Sequence, residues 1–387
     1  MPLHPLIPIA PALSFTFFAA PPSTATLNVH NGSRSALLPP GVQDAPHPQA
    51  LDSDGGVGGF ERYTWFSIDD DLVYLSFYED WGPLNIAMFY RFCLHVHHLM
   101  ESDSAAHLVL YTSSAPQQKA NAALLVALYS MIIERQPVAD AFHPFSQIEF
   151  QPFRDAGYGR ADFHLSLQDV LHGVSRALQC ELLNLSAFNL DEYEHYEQVA
   201  NGDWNWLTPN FIAFASPNDR EYTNALRATM EGRPSRSLRR PIPETFRNTI
   251  RYFRDRGVGA VVRLNNPLYD RAEFENAGIK HVDMYFDDGS NPSEEILRDF
   301  IALADAQIAA GRVVAVHCKA GLGRTGVLIG AYLIWRHGFS ASEVIGFMRF
   351  MRPGCVVGPQ QHFMYENATE WVRWRVRHEM RLELAKE

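Results

Sequence analysis

The chain has 387 residues, and a hydrophobic fraction of 47% is enough to build a sizeable core in more than one domain. A formal net charge of -11 argues against non-specific nucleic-acid binding, which needs a basic surface, so any phosphate chemistry must rest on a local site. Four cysteines (Cys93, Cys180, Cys318, Cys355) are too few for a disulfide framework and contain no CxxC pair; neither metal nor cofactor is expected.

Residues 1–54 are rich in Pro, Ala, Ser and Gly and read as a disordered lead-in. The opening MPLHPLIPIAPALSFTFFAAPP has the apolarity of a signal peptide but no basic n-region, and prolines interrupt it. Periodic structure is predicted from Tyr63, with two strand-like runs through YTWFSIDDDLVYLSFYEDWGPL and then a helix over Ile86–Leu99. AAHLVLYTSS (105–114) predicts a strand, and Gln118–Glu134 and Asp162–Leu183 predict helices.

A second unit is expected after the acidic stretch Asn189–Asp203, opening with the strand FIAFAS (211–216). Arg220–Pro243 reads as loop with helical fragments, and GVGAVVRLNN (257–266) as a buried strand. Pro292–Ala310 predicts a helix capped by Asn291. RVVAVH (312–317) has the continuous apolarity of a buried parallel strand, and a helix pattern runs from Arg324 to His337, stopping at Gly338. Both halves alternate strands and helices, so the fold class is α/β.

Between that strand and helix stands His317-Cys318-Lys319-Ala320-Gly321-Leu322-Gly323-Arg324-Thr325-Gly326. Such a turn directs backbone N–H groups and the positive end of the helix dipole at one spot. Gly321 and Gly323 supply the backbone freedom a nest needs, and the field favours a thiolate at Cys318. Arg324, six residues on, can return a planar fork to two phosphate oxygens. Thr325 can donate to the sulfur when it leaves. A lone cysteine six residues before an arginine is common by chance; the full string in this setting is not.

HCxxGxxRTG is the signature of cysteine-dependent tyrosine and dual-specificity phosphatases. With FDDGSNP (286–292), RPGCVVGPQQ (352–361), PFRDAGYG (152–159) and FNLDEYEHYE (188–197), the chain resembles the mitotic-exit protein phosphatases of the cell-division-cycle-fourteen type, from about Tyr63 to about Trp374. The resemblance implies two tandem dual-specificity-phosphatase-like domains joined by a linker helix. The expected layout is 55–186 (non-catalytic, substrate-selecting), 187–203 (acidic linker) and 204–380 (catalytic). It points to Asp288 as general acid, with Asp287 the alternative, and to Gln360 as the amide that positions water.

The same resemblance assigns Tyr158, Asp155, Glu194, Glu197 and Asp203, with Asp80 beside them, to a substrate groove. The implied substrates are phosphoproteins with phospho-Ser-Pro followed by Lys or Arg, not nucleic acid or membrane. Nuclear, nucleolar and cytoplasmic residence, with spindle or centrosome, is the family expectation; the only basic tract is Arg233–Arg240. Cys355 stands where serine is expected, and simple packing or a protective disulfide with Cys318 are both open. Leu322, where a second lysine would suit an inositol ring, counts against a phosphoinositide phosphatase. Net acidity counts against an RNA triphosphatase, and an intact set of catalytic positions counts against a binding-only module.

Overall fold

A parallel strand buried on both faces needs apolar residues at successive positions, and Val313–Cys318 (VVAVHC) supplies them. In this computed structural model, which describes residues 5–29, 50–51, 57–58, 62–231 and 242–384, that strand is central in a five-stranded sheet. It pairs in parallel with Phe211–Ala215 on one side and Val258–Arg263 on the other. Lys280–Asp283 extends the sheet in parallel, and Trp204–Thr208 closes the opposite edge as an antiparallel hairpin with Phe211–Ala215. The helix Gly323–His337 leaves the central strand through the glycine-rich loop and is buried over most of its length. Gly338, at φ 70° and ψ 32°, ends it in the left-handed conformation.

The chain divides into two compact units, residues 1–154 with 164–175, and 155–163 with 176–387. The first has its own sheet, in the order Ile7–Ala10, Leu13–Phe18, Ala106–Ser113, Arg62–Phe66. An antiparallel hairpin again feeds a parallel central strand, Ala106–Ser113, which leads into the helix Pro116–Ile132. The first sheet therefore repeats the strand order of the second without its outer strand Lys280–Asp283.

Several expectations are corrected. The lead-in is not uniformly unstructured: Leu13–Phe18 is buried along its whole length in the first sheet, and Thr24–Val29 is helical. Leu13, Phe15 and Phe17 alternate with Ser14 and Thr16 as a strand should, but the segment is short and set between prolines, and its polar face is buried as well. Residues 30–49 and 52–56 lie outside the described residues, as does Arg233–Arg240. Of the two strand-like runs after Tyr63, only Arg62–Phe66 forms a strand; DLVYLSFY is an irregular loop with Leu75 81% exposed. The acidic linker falls wholly in the second unit. It is a short helix, Leu190–Tyr196, then a 3-10 turn, Val199–Asn201, ended by Gly202 at φ 133°. Ser293 rather than Asn291 caps the helix Glu294–Ala309, its hydroxyl accepting from Ile296 N. Trp204–Thr208, which the sequence reading missed, is the edge strand that opens the second sheet.

Candidate active site

The loop after Val313–Cys318 is shaped by what holds its carbonyls. Cys318 O faces His317 Nδ1 at 3.0 Å, and Lys319 O accepts from Ser216 N at 3.1 Å. Ala320 O and Gly321 O accept from Arg352 Nη2 (3.0 Å) and Nε (3.2 Å). Leu322 O accepts from Gly326 N (3.0 Å) and Val356 N (3.3 Å). A trans peptide points its N–H away from its carbonyl, so tying five consecutive carbonyls to the scaffold turns the N–H groups of residues 319–323 the other way, as an anion nest requires. Gly321 is obligatory here: its φ is +68°, and a Cβ would sit 2.1 Å from Phe214 O.

Cys318 and Arg324 are buried, at 4% and 3% exposure. Arg324 Nη1 donates to Leu264 O (3.2 Å) and Phe286 O (2.9 Å), which locks the guanidinium plane. Its Nε is buried without a hydrogen-bond partner, and Nη2 lies 3.1 Å from Asp288 Oδ1. The Nε–Nη2 edge is thus the side left for two oxygens of a tetrahedral anion.

The adjacent carboxylates have different partners. Asp287 holds the turn: its carbonyl accepts from Ser290 N and Oγ, and its Oδ1 accepts from Tyr285 Oη at 2.6 Å. Asp288 is exposed apart from its ion pair with Arg324. Gln360 is buried, donates Nε2 to Ser290 O (3.2 Å), and accepts at Oε1 from Val357 N (3.3 Å). A Cβ on Gly323 would lie 2.6 Å from that Oε1, so this amide bridges the acid loop and the phosphate loop. Thr325 Oγ1 is buried and unpartnered, so the bond to sulfur is not formed here. Lys319 and Ala320 are exposed; Leu322 and Gly323 are half-buried.

Among the groove candidates the structure makes distinctions that charge spacing could not. Asp155 is buried, its Oδ2 accepting from Gly157 N (3.0 Å) and Gly358 N (2.7 Å); it is a tether between loops, not a contact surface. Asp80 is buried in the first unit and takes bonds from Tyr74 Oη, Phe77 N and Tyr78 N, so it organises its own loop. Asp203 is paired to Arg352 at 2.7 Å and serves the phosphate loop through it. Tyr158 is 89% exposed, on the loop that Asp155 ties down beside Gln360. Glu194 and Glu197 are half-buried. Burial, then the charges of Glu194 and Asp203, push the Glu197 carboxyl up to about 7, against the opposing pull of Arg352.

Two supports went unread in the sequence. Arg352 and Arg349 sit three apart at the end of an apolar helix, Ala341–Met351, where a charge has no solvent to meet. Arg349 donates to Cys355 O, Val356 O and Gln361 Oε1, fixing the segment that presents Gln360. Cys355 is buried and free, and burial pushes its thiol up to about 12. Among the described residues no acid, His and Cys cluster is suited to a metal ion, and no helix is long and apolar enough to cross a membrane.

The model for "dual specificity protein phosphatase, N-terminal half" matches residues 57–177, and one for "polymorphic toxin system, DSP-PTPase phosphatase" matches 238–338. The chain is 46% identical over 321 residues to tyrosine-protein phosphatase cdcA of Emericella nidulans, covering 80% of this chain and 54% of that one. It is 43% identical over 319 residues to tyrosine-protein phosphatase CDC14 of Saccharomyces cerevisiae (81% and 56%), and 45% over 314 residues to its Schizosaccharomyces pombe homolog (80% and 56%). The chain belongs to the Cdc14-type phosphatase family. It spans a little over half the length of these Cdc14-type relatives. The two family models fall one on each unit's sheet, in keeping with tandem phosphatase-like domains.

Proposed function

We propose that this chain is a cysteine-dependent protein phosphatase that hydrolyses phosphoserine- and phosphothreonine-Pro sites, and phosphotyrosine, through a phosphocysteine intermediate. The observation that carries the reading is the Nε–Nη2 edge of a buried, pinned Arg324 in the loop that starts at Cys318: its Nε has no partner and its Nη2 meets only the carboxylate of Asp288, which an anion can replace. Cys318 Sγ attacks phosphorus while the loop N–H groups and Arg324 hold the equatorial oxygens. Asp288 releases its pairing with Arg324 as the phosphate arrives, takes up a proton from solvent and passes it to the leaving oxygen. The leaving group departs with that proton. The same carboxylate then takes a proton from water held by the Gln360 amide as the water oxygen attacks phosphorus. The P–S bond breaks to release inorganic phosphate and the Cys318 thiolate. Thr325 turns its unpartnered hydroxyl toward the departing sulfur.

Tyr158, Glu194 and Glu197 are the surface that selects substrate: an exposed ring for the proline after the phosphoserine, and carboxylates for a following Lys or Arg. Asp155 and Asp203 support that surface from behind. Phosphorylation of this type is what cyclin-dependent kinases leave, so the reading places the chain in mitotic exit or cytokinesis, in nucleus and cytoplasm. Its partners are phosphoproteins.

The test is kcat/KM on three peptides: phosphoSer-Pro with a lysine two residues after the proline, the same peptide with Ala for Pro, and a phosphotyrosine version. A preference for the first by about tenfold or more, roughly 1.4 kcal/mol, supports chemistry and groove together. Equal cleavage of all three removes the groove assignment. No turnover by wild type, with phosphopeptide retained, favours a binding module.

A further inference from the structure

Behind the nucleophile runs a line of buried polar groups that the steps above do not use. His317 faces Cys318 O with Nδ1 (3.0 Å) and Tyr269 Oη with Nε2 (2.7 Å). Tyr269 Oη lies 2.8 Å from His281 Nε2. All three side chains are buried.

The direction of the line follows from its fixed end. A carbonyl only accepts, so His317 Nδ1 carries a proton; burial holds that imidazole down to about 3, so it is neutral and Nε2 is a bare lone pair. Tyr269 must donate to that lone pair, and its oxygen then accepts from His281 Nε2–H. Burial, with Arg263 beside it, pushes His281 down to about 4, so its Nδ1 is bare. The nearest acid, Asp283 Oδ2, is 4.0 Å from that nitrogen, too far to bond, and is engaged by Arg263 and Arg271. Each proton in the line has one place.

We infer that Tyr269 and His281 are positioning residues for the nucleophile: they hold His317 in its Nδ1–H tautomer, which keeps the Cys318 carbonyl turned away from the phosphate. This rests on the phosphatase reading. In the other tautomer a lone pair would face the Cys318 carbonyl, the 318–319 peptide would rotate, and the Lys319 N–H would leave the nest. Arg352 holds only the carbonyls further along, and the side chain that meets the Cys318 carbonyl is His317.

The test uses the full chain with nitrogen-labelled histidine at pH 7. It reads the tautomer of each ring by NMR, kcat/KM on a phosphopeptide, and the rate of Cys318 alkylation by iodoacetamide. Wild type should show His317 protonated at Nδ1 and His281 at Nε2. Tyr269→Phe should shift the His317 Nε2 resonance, change the alkylation rate, and lower kcat/KM about tenfold. His281→Phe should do the same more weakly, and His281→Gln, whose amide can replace the ring donor, should recover most of the loss. His317 protonated at Nε2 in wild type overturns the inference, as do rates within about twofold of wild type in both Phe variants. Losses that track melting temperature instead of the donor also overturn it. A wild type that turns over no phosphopeptide sinks the phosphatase reading instead; ring spectra and alkylation rates then decide this inference alone.

Discussion

Replacing Arg352 with lysine separates the charge behind the phosphate loop from its shape. The guanidinium, 4% exposed, donates to Gly321 O, Ala320 O, Asn205 Oδ1 and Asp203 Oδ1. An ammonium keeps the pairing with Asp203 but cannot span two carbonyls and two side chains. At least two buried neutral acceptors then lose their donor, at roughly 1–2 kcal/mol each, so Arg352→Lys should lower stability by about 2–4 kcal/mol. Freed carbonyls let the Ala320 and Gly321 peptides rotate, and kcat/KM should fall about a hundredfold, or about 2.7 kcal/mol of transition-state stabilisation. Urea unfolding gives the first quantity and initial rates on a phosphopeptide the second. Asp203→Asn is the control, since it removes the ion pair and leaves the carbonyl bonds, so activity should stay within about threefold. Should Arg352→Lys keep wild-type kcat/KM, or Asp203→Asn lose as much, the carbonyl tethers do not shape the loop.

Three further outcomes follow from the same geometry. Gly321→Ala forces a side chain into a left-handed residue and a Cβ to 2.1 Å from Phe214 O, so the loop must move and kcat/KM should drop at least about a hundredfold. Asp288→Asn should cut turnover of phosphoserine about a hundredfold and spare an activated aryl phosphate, whose leaving group needs no proton. Asp287→Asn, losing one bond to Tyr285, should change either by less than about threefold. Glu197, raised to about 7, gains its charge between pH 6 and 8, so affinity for a lysine-bearing phosphopeptide should rise across that window and flatten in Glu197→Gln. The stability sign is opposite: a raised folded-state value stabilises below about 4.5 and the contribution is lost as pH rises through 7. Glu197→Gln should therefore melt higher than wild type at pH 8 but not at pH 4, and the reverse order in thermal melts would show the carboxyl is not desolvated.

The strand, loop and helix around Cys318 were legible because each leaves a local mark: an unbroken apolar run, glycines where the loop must turn, and Gly338 where the helix must stop. What escaped depends on partners remote in sequence. Leu13–Phe18 is a strand because Ala106–Ser113 pairs along it, and its short LSFTF alternation between prolines is too brief a local mark to separate that outcome from an apolar lead-in. The carboxylates at 155, 194, 197 and 203 look alike as charges. Only the fold shows that Asp155 faces two backbone amides and Asp203 faces Arg352, which leaves Glu194 and Glu197 as the half-buried pair. Tyr269 is unremarkable in NNPLYD until His281 and His317 are seen on either side of its hydroxyl.

The two sheets show how little of the site belongs to the fold. In the first unit the central strand Ala106–Ser113 also runs into a helix, yet only Ser114 and Ala115 separate them, and Pro116 opens the helix without a free N–H. The strand end is not open to an anion either. Asp69 reaches it and accepts from Thr112 Oγ1 (2.6 Å) and Ser113 N (2.8 Å), so the protein's own carboxylate takes the donors. Burial raises that carboxyl above the usual range, against the pull of those two bonds. In the second unit the loop has four residues, Lys319 to Leu322, two more than in the first, and each has its carbonyl tied outward, which leaves the N–H groups with no internal acceptor. The shared strand order therefore yields a self-satisfied strand end in one unit and a nest in the other, and the difference lies in loop length and in which side chain, Asp69 or Arg352, meets the loop.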